Sequence, residues 1–264
     1  MTDPAISSES AIRPSQARIY DYVLGGHNYL PVDREVADAL LALSPVTRAT
    51  FLENRRFLGR AVQFLAEQGI RQFLDIGAGL PTQDNVHQIA QRVAPAARVV
   101  YVDNDPAVIA HGQALLSGDS NVAIAAGDLR QPADVFGLPE VHRLLDLSQP
   151  VGLLLLGVLY FISDDEDPYS MVAQLRGALA PGSYLVISHA TTDTLPAEQV
   201  DKGTKIYNRA SEVTMRSRVQ IERFLEGLDL VEPGLVLASH WRPGGPLPPA
   251  EETPAMFGAV GLVK

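Results

Sequence analysis

Along the first quarter of the chain, hydrophobic positions recur at three- and four-residue spacing, the period of a helix with one buried face. Ile19, Tyr22 and Val23 share a face from Pro14 onward, and the Gly25-Gly26 pair marks the stop. Val36, Ala37, Leu40 and Leu41 line a second helix, for which Asp33 is the expected N-cap. Phe51, Leu58, Ala61, Val62 and Leu65 line a third over 45–68, ended by Gly69. After Gly69 the pattern changes to short, continuous apolar runs at 72–76, 98–102, 122–125, 151–156 and 184–188. Unbroken runs of this length read as strands covered on both faces. Helical segments over 82–93, 106–116 and 169–179 fall between them, which predicts an α/β fold with a doubly wound, mostly parallel sheet. Past Gly227 two further runs, 235–238 and 257–263, flank a Pro/Gly-rich loop over 242–254 and predict an antiparallel ending. The expected organisation is an N-terminal helical cap or lid over 1–69 and a core over 70–264, with the first eleven residues disordered or lying loosely on the surface.

The break in the first apolar run carries the candidate chemistry. "FLDIGAGLPT" ends a strand in Asp75, then turns through Gly77, Ala78 and Gly79, where a glycine backbone can pass close to a ligand. A dinucleotide fingerprint asks for a third glycine at the position held by Thr82, so a pyrophosphate is disfavoured. A carboxylate at Asp75 suits a ligand with a cationic end. The second strand ends "VVYVDND", with Asp103 and Asn104 where an acid accepts from a ribose hydroxyl pair, and the third is followed by "AGDLR", where Asp128 can accept from an adenine amino group while Leu129 packs on the ring. Acids at successive strand ends form a ladder along one elongated ligand, and S-adenosylmethionine has the matching groups in that order.

"RPSQARIYDYVLGG", "FLDIGAGLPT", "ARVVYVDNDPAVIAH", "PGSYLVISHAT", "FLEGLDLVEPG" and "HWRP" together resemble the actinobacterial S-adenosylmethionine-dependent methyltransferases first classed as a domain of unknown function. The resemblance runs over nearly the whole chain. It implies a seven-stranded class I methyltransferase sheet with its last strand antiparallel. It also implies S-adenosyl-L-methionine as cofactor and S-adenosyl-L-homocysteine as product, with donor contacts at Asp75, Gly77, Gly79, Asp103 and Asp128. Tyr22, Ala78, Asn104, Leu129 and Gly157 complete the expected donor set.

Composition narrows the acceptor. The 264 residues are 46% hydrophobic, contain no cysteine and carry a formal charge of -10. Absent cysteine excludes disulfides, thiolate metal sites and a cysteine nucleophile. The acidic balance opposes nucleic acid at long range, which leaves a small-molecule acceptor. No apolar run reaches the ~18 residues of a membrane span, and residues 1–10 have no signal-peptide pattern, so a cytoplasmic protein is expected. The segment "LLLLGVLYFISDD" lacks the Pro-Pro-aromatic motif of base-amine methylation. Tyr160, His189 and His27 are the acid–base candidates, with Tyr22 also weighed. The other histidines show no ligand spacing, so no metal is expected. Arg209, Arg216, Arg218 and Arg223 read as a solvated helix surface. Two alternatives remain open at this stage: a nicotinamide-dependent oxidoreductase, and a non-catalytic donor-binding sensor.

Overall fold

The computed structural model describes residues 13–44, 46–81, 84–116, 118–249 and 253–264; the first eleven residues, Pro45 and Thr82 lie outside them. In chain order the elements are α1 (Gln16–Val23), α2 (Pro31–Leu43), α3 (Val46–Glu67), β1 (Gln72–Ile76), α4 (Val86–Val93), β2 (Arg98–Asp103), α5 (Pro106–Leu116) and β3 (Val122–Ala126). There follow α6 (Pro132–Phe136), α7 (Pro139–Leu144), β4 (Gly152–Leu156), α8 (Pro168–Gly177), β5 (Tyr184–Ala190), α9 (Ala197–Tyr207), α10 (Arg218–Glu222), β6 (Asp229–Leu230), β7 (Val236–Leu237) and β8 (Met256–Leu262). The sheet order is β3-β2-β1-β4-β5-β8-β6, with β7 also paired to β8. Strands β1 to β5 are parallel, and β8 runs antiparallel to β5, β6 and β7.

The continuous apolar runs have a direct cause: alternate residues feed two different helical layers. Leu74, Leu153 and Leu155 face the layer of α6, α7, α8 and α10, whereas Phe73, Leu154 and Leu156 face α3, α4 and α5. Strand order reverses between β1 and β4, and that is where an open α/β sheet leaves a crevice beyond its carboxyl ends.

Three details depart from the expected pattern. The expected seven strands are eight, because the short β6 and β7 divide the pairing along β8 between them. Their pairing is set by the neighbouring strand, and two residues are too few for a periodic signal. The run at 235–238 is only two residues of strand, after which a 3-10 turn, Ala238–His240, takes over. Asp33 is not the N-cap of α2; Leu30 holds that place and Asp33 sits at the third helical position, fully buried. Its carboxylate accepts from Arg18 Nε at 2.6 Å and Nη2 at 3.2 Å and from the backbone N–H groups of Ser15 and Leu30, both at 2.8 Å. This pair ties α1 to α2 across a small apolar cluster of Ile19, Val23, Val36, Ala37 and Leu40. The turn between them needs Gly26, because a Cβ there would run into the Asp21 carboxylate.

Helix α3 behaves differently from α1 and α2. Phe57, Leu58, Ala61, Val62 and Leu65 belong to the sheet's own core, while Phe51 near the start of α3 packs against the α1–α2 cluster. Among the described residues, no helix is long and apolar enough to cross a membrane.

Candidate active site

A cavity of about 850 Å³ opens beyond the carboxyl ends of β1 to β4, at the point where strand order reverses. Asp75, Asp103 and Asp128 line it from β1, β2 and the turn after β3, joined by Gly77, Ala78, Gly79, Asn104, Leu129 and Gly157. The residues expected at three separate strand ends thus meet in one space.

Local conformation explains why glycines stand here. Gly77, Gly79 and Gly157 all have positive φ, at 79°, 66° and 65°. A Cβ on Gly77 would lie 2.6 Å from Val158 Cγ2, while beside Gly79 nothing stands within 4 Å, so its backbone is bare to the cavity. Asp103 braces this turn. Its Oδ2 accepts from Gly79 N at 2.9 Å and its Oδ1 from Asp105 N at 2.9 Å. Each carboxylate oxygen retains a further lone pair for a ligand.

The electrostatics differ along the cavity. Burial pushes the Asp75 carboxyl up to about 7, with Arg55 pulling it down and Asp103 pushing it up. Desolvation also raises Asp103, partly offset by its backbone donors. Asp128 is at the wetter rim, where it accepts from Arg130 N at 2.9 Å and from Asn104 Nδ2 at 3.3 Å. Arg130 continues to Glu166 at 2.5 Å and to Phe161 O at 2.8 Å, which ties this rim to the loop after β4.

The cavity's other walls were only partly legible in advance. Residues 13–18 and Tyr20 line it from the N-terminal side, and Ser15 Oγ donates to Asp105 Oδ2 at 2.6 Å across the opening. Tyr22 does not line it: two residues on from Tyr20 and so roughly opposite it on α1, its hydroxyl donates to Asp38 Oδ1 at 2.7 Å. Tyr20, Asn54, Tyr160 and Tyr207 form the inner wall. Asn54 Nδ2 donates to Tyr20 Oη at 3.1 Å and Asn54 Oδ1 accepts from Ser188 Oγ at 2.6 Å, so the amide orientation is set on both sides. Burial raises Tyr20, Tyr160 and Tyr207 above the usual phenol range, which keeps these hydroxyls protonated.

Of the three acid–base candidates, Tyr160 alone lines the cavity. His189 is fully buried behind it, ring centroids 5.6 Å apart. Its Nδ1 bonds Ala190 O at 2.6 Å and its Nε2 accepts from Arg216 Nη1 at 3.1 Å. Desolvation then pushes the imidazole down to about 3, so it is neutral with its lone pair occupied. His27 is exposed on the turn after α1 and is not among the lining residues.

The arginine cluster needs a correction. Arg216 is fully buried, not part of a solvated helix surface. It donates to Leu159 O at 3.0 Å, Ile162 O at 2.8 Å and Asp164 at 2.7 Å, and packs over Phe224, fastening the loop that carries Tyr160 and Phe161. Arg209 and Arg218 are half exposed, as the pattern predicts. Arg216 precedes α10 rather than sitting on it, a distinction that composition alone does not make.

Comparison with known proteins shows the family. A family model described as S-adenosyl methyltransferase matches residues 4–264. The chain belongs to that family. A candidate methyltransferase from Thermobifida fusca YX is 41% identical, with a TM-score of 0.90 and 96% of each chain covered. A DUF574 family protein from Streptomyces avermitilis is 40% identical, also with a TM-score of 0.90, covering 96% of this chain and 99% of that one. The mitomycin 7-O-methyltransferase MmcR shares the fold at 17% identity, with a TM-score of 0.52 over 82% of this chain and 56% of its own. The search of curated proteins found no match to this chain. The protein is therefore an S-adenosylmethionine-dependent methyltransferase of class I fold, and the nicotinamide alternative is set aside.

Proposed function

We propose that this methyltransferase holds its donor along the ladder of acids and methylates a small molecule presented to the tyrosine-lined inner wall. The alignment of Asp75, Asp103 and Asp128 on three neighbouring strand ends, along one cavity, carries this reading. Asp75 takes the donor's ammonium group, Asp103 the ribose hydroxyls, and Asp128 with Asn104 the adenine amino edge, while Leu129 and Ile162 cover the ring. Gly77 to Gly79 present bare backbone between the first two. The donor supplies an electrophilic methyl group on a sulfonium. The protein's task is to bring the acceptor atom to roughly 3 to 3.5 Å from that carbon, in line with the bond that breaks. The N-terminal segment and α1 exclude water from this space, and Arg216 fixes the Tyr160 loop that forms its far wall. A net charge of -10 disfavours a nucleic-acid acceptor.

Calorimetric titration tests the donor assignment. S-adenosylmethionine and S-adenosylhomocysteine should bind, and NAD should not; tighter binding of NAD would overturn the ladder.

A pH dependence follows from Asp75. A bound ammonium favours the carboxylate, so product affinity should rise between pH 6 and 8, with a proton released from Asp75 on binding near pH 7. Asp75→Asn should flatten that dependence. For the free protein the sign reverses: the folded carboxyl titrates above its unfolded value, so its contribution to stability is full in acid and is lost as pH rises through about 7. Melting curves with and without S-adenosylhomocysteine separate the two effects, and a proton count independent of Asp75 would move the ammonium elsewhere.

A further inference from the structure

Behind the inner wall lies a second, smaller pocket of about 130 Å³, between α2, α3, α9 and the ends of β5 and β8. It shares two side chains with the donor cavity, Tyr160 and Tyr207. Among the described residues, no Asp, Glu, Lys, Arg or His lines it. Two of its three threonine hydroxyls are spent on the backbone: Thr47 donates to Leu40 O at 3.1 Å, and Thr50 donates to Val46 O at 2.9 Å while accepting from Ala255 N at 3.0 Å. Ser44, Gln199 and Thr204 add neutral polar groups at its edge, and the rest of its wall is apolar, from Leu40, Phe51, Val200, Met215 and Met256. An engineered apolar cavity of about 150 Å³ takes a benzene molecule, so the space suits a six-carbon ring or a short aliphatic chain. An ion would lose its hydration there with no charged partner to compensate.

We propose that this pocket receives the apolar body of the methyl acceptor, an uncharged small molecule whose nucleophilic atom projects past Tyr160 and Tyr207 into the donor cavity. The proposal rests on the donor assignment above. The two spaces adjoin at the shared tyrosines, and that adjacency argues for this occupant. The protonated hydroxyls of Tyr160 and Tyr207 can donate to, or accept from, a neutral polar end, but with their phenols held protonated by burial no phenolate is at hand to take a proton. The acceptor therefore attacks with a lone pair of its own: the new bond forms to the methyl carbon, the old bonding pair returns to sulfur, and any proton on the attacking atom leaves with the methylated product and passes to solvent on release.

Met215 and Met256 line this pocket and Met171 does not, so methionine methyl resonances report its occupancy. Three probes of one shape decide the chemistry: benzyl alcohol, benzylammonium and benzoate, each titrated into the protein saturated with S-adenosylhomocysteine. Benzyl alcohol should shift Met215 and Met256 and leave Met171 still, and the two ions should bind at least tenfold more weakly. Gly203→Leu fills the pocket from α9, where a new Cβ would be 3.3 Å from Leu43 Cδ2, and Val200→Phe fills it independently. Both should abolish the shifts while keeping S-adenosylhomocysteine affinity within about twofold. Shifts that persist in both variants, equal binding of the ions, or no shift in the wild type overturn the proposal. Failure of the wild type to bind S-adenosylhomocysteine would instead overturn the donor assignment.

Discussion

Asp103→Ala should weaken donor binding by about ten- to a hundredfold, and more than Asp128→Ala. The expectation has two parts. A hydrogen bond to a charged group is worth roughly 1.5 to 3 kcal/mol, and each 1.4 kcal/mol is tenfold in affinity. In addition, Asp103 holds the glycine turn: removing it strands the N–H groups of Gly79 and Asp105, both at 2.9 Å from its oxygens. Asp103→Asn keeps one acceptor oxygen and should recover part of the loss. Asp128 works at a rim where its side chain is 30% exposed, so water replaces more of what it supplies. Calorimetry on folded variants, checked by melting, reads the difference. Wild-type affinity in Asp103→Ala would place the ribose elsewhere.

Asp33→Ala should open the N-terminal cover. Breaking a buried pair by removing one partner costs about 3–5 kcal/mol, because the remaining charge is stranded. Here the Arg18 guanidinium, 4% exposed, loses its carboxylate while keeping Arg13 O at 2.9 Å, and the N–H groups of Ser15 and Leu30 lose their acceptor. The cluster around Ile19 and Val36 is small and separate from the sheet core, so the loss should be local rather than global. Amide exchange should speed up in α1 and α2 by at least a hundredfold, while the strands stay protected. Donor affinity should fall with it, since Ser15 would no longer hold its place against Asp105. Unchanged exchange in α1 would mean that the apolar cluster alone holds the cover. A chain starting near Pro45 makes the same comparison more severely: a cover predicts a folded protein with weakened donor binding, whereas aggregation would show that α1 and α2 are needed to shield the sheet.

The acid ladder was readable in the chain because each member sits at a fixed offset from a run of apolar residues. Strand ends and the turns after them are local features, and a glycine pair behind an Asp leaves a recognisable mark on the sequence. The parallel sheet was readable for the same reason, since two-sided burial demands unbroken apolar runs. Helices α1 to α3 announced themselves by period, but period gives only which side is apolar. It could not distinguish Tyr22 from Tyr20 as the residue facing the cavity, because both lie near the edge of that apolar face and the choice depends on how α1 docks on α2 and α3. The buried roles of Asp33 and Arg216 were equally hidden, since a charged residue reads as solvated until its partner, from Arg18 or from the loop after β4, is brought to it. The inner wall joins Tyr20, Asn54, Tyr160 and Tyr207 from four elements spread over nearly two hundred residues. Contacts of that range have no local signature, so only the packing of α3 on the sheet and of α9 on α2 could assemble this wall.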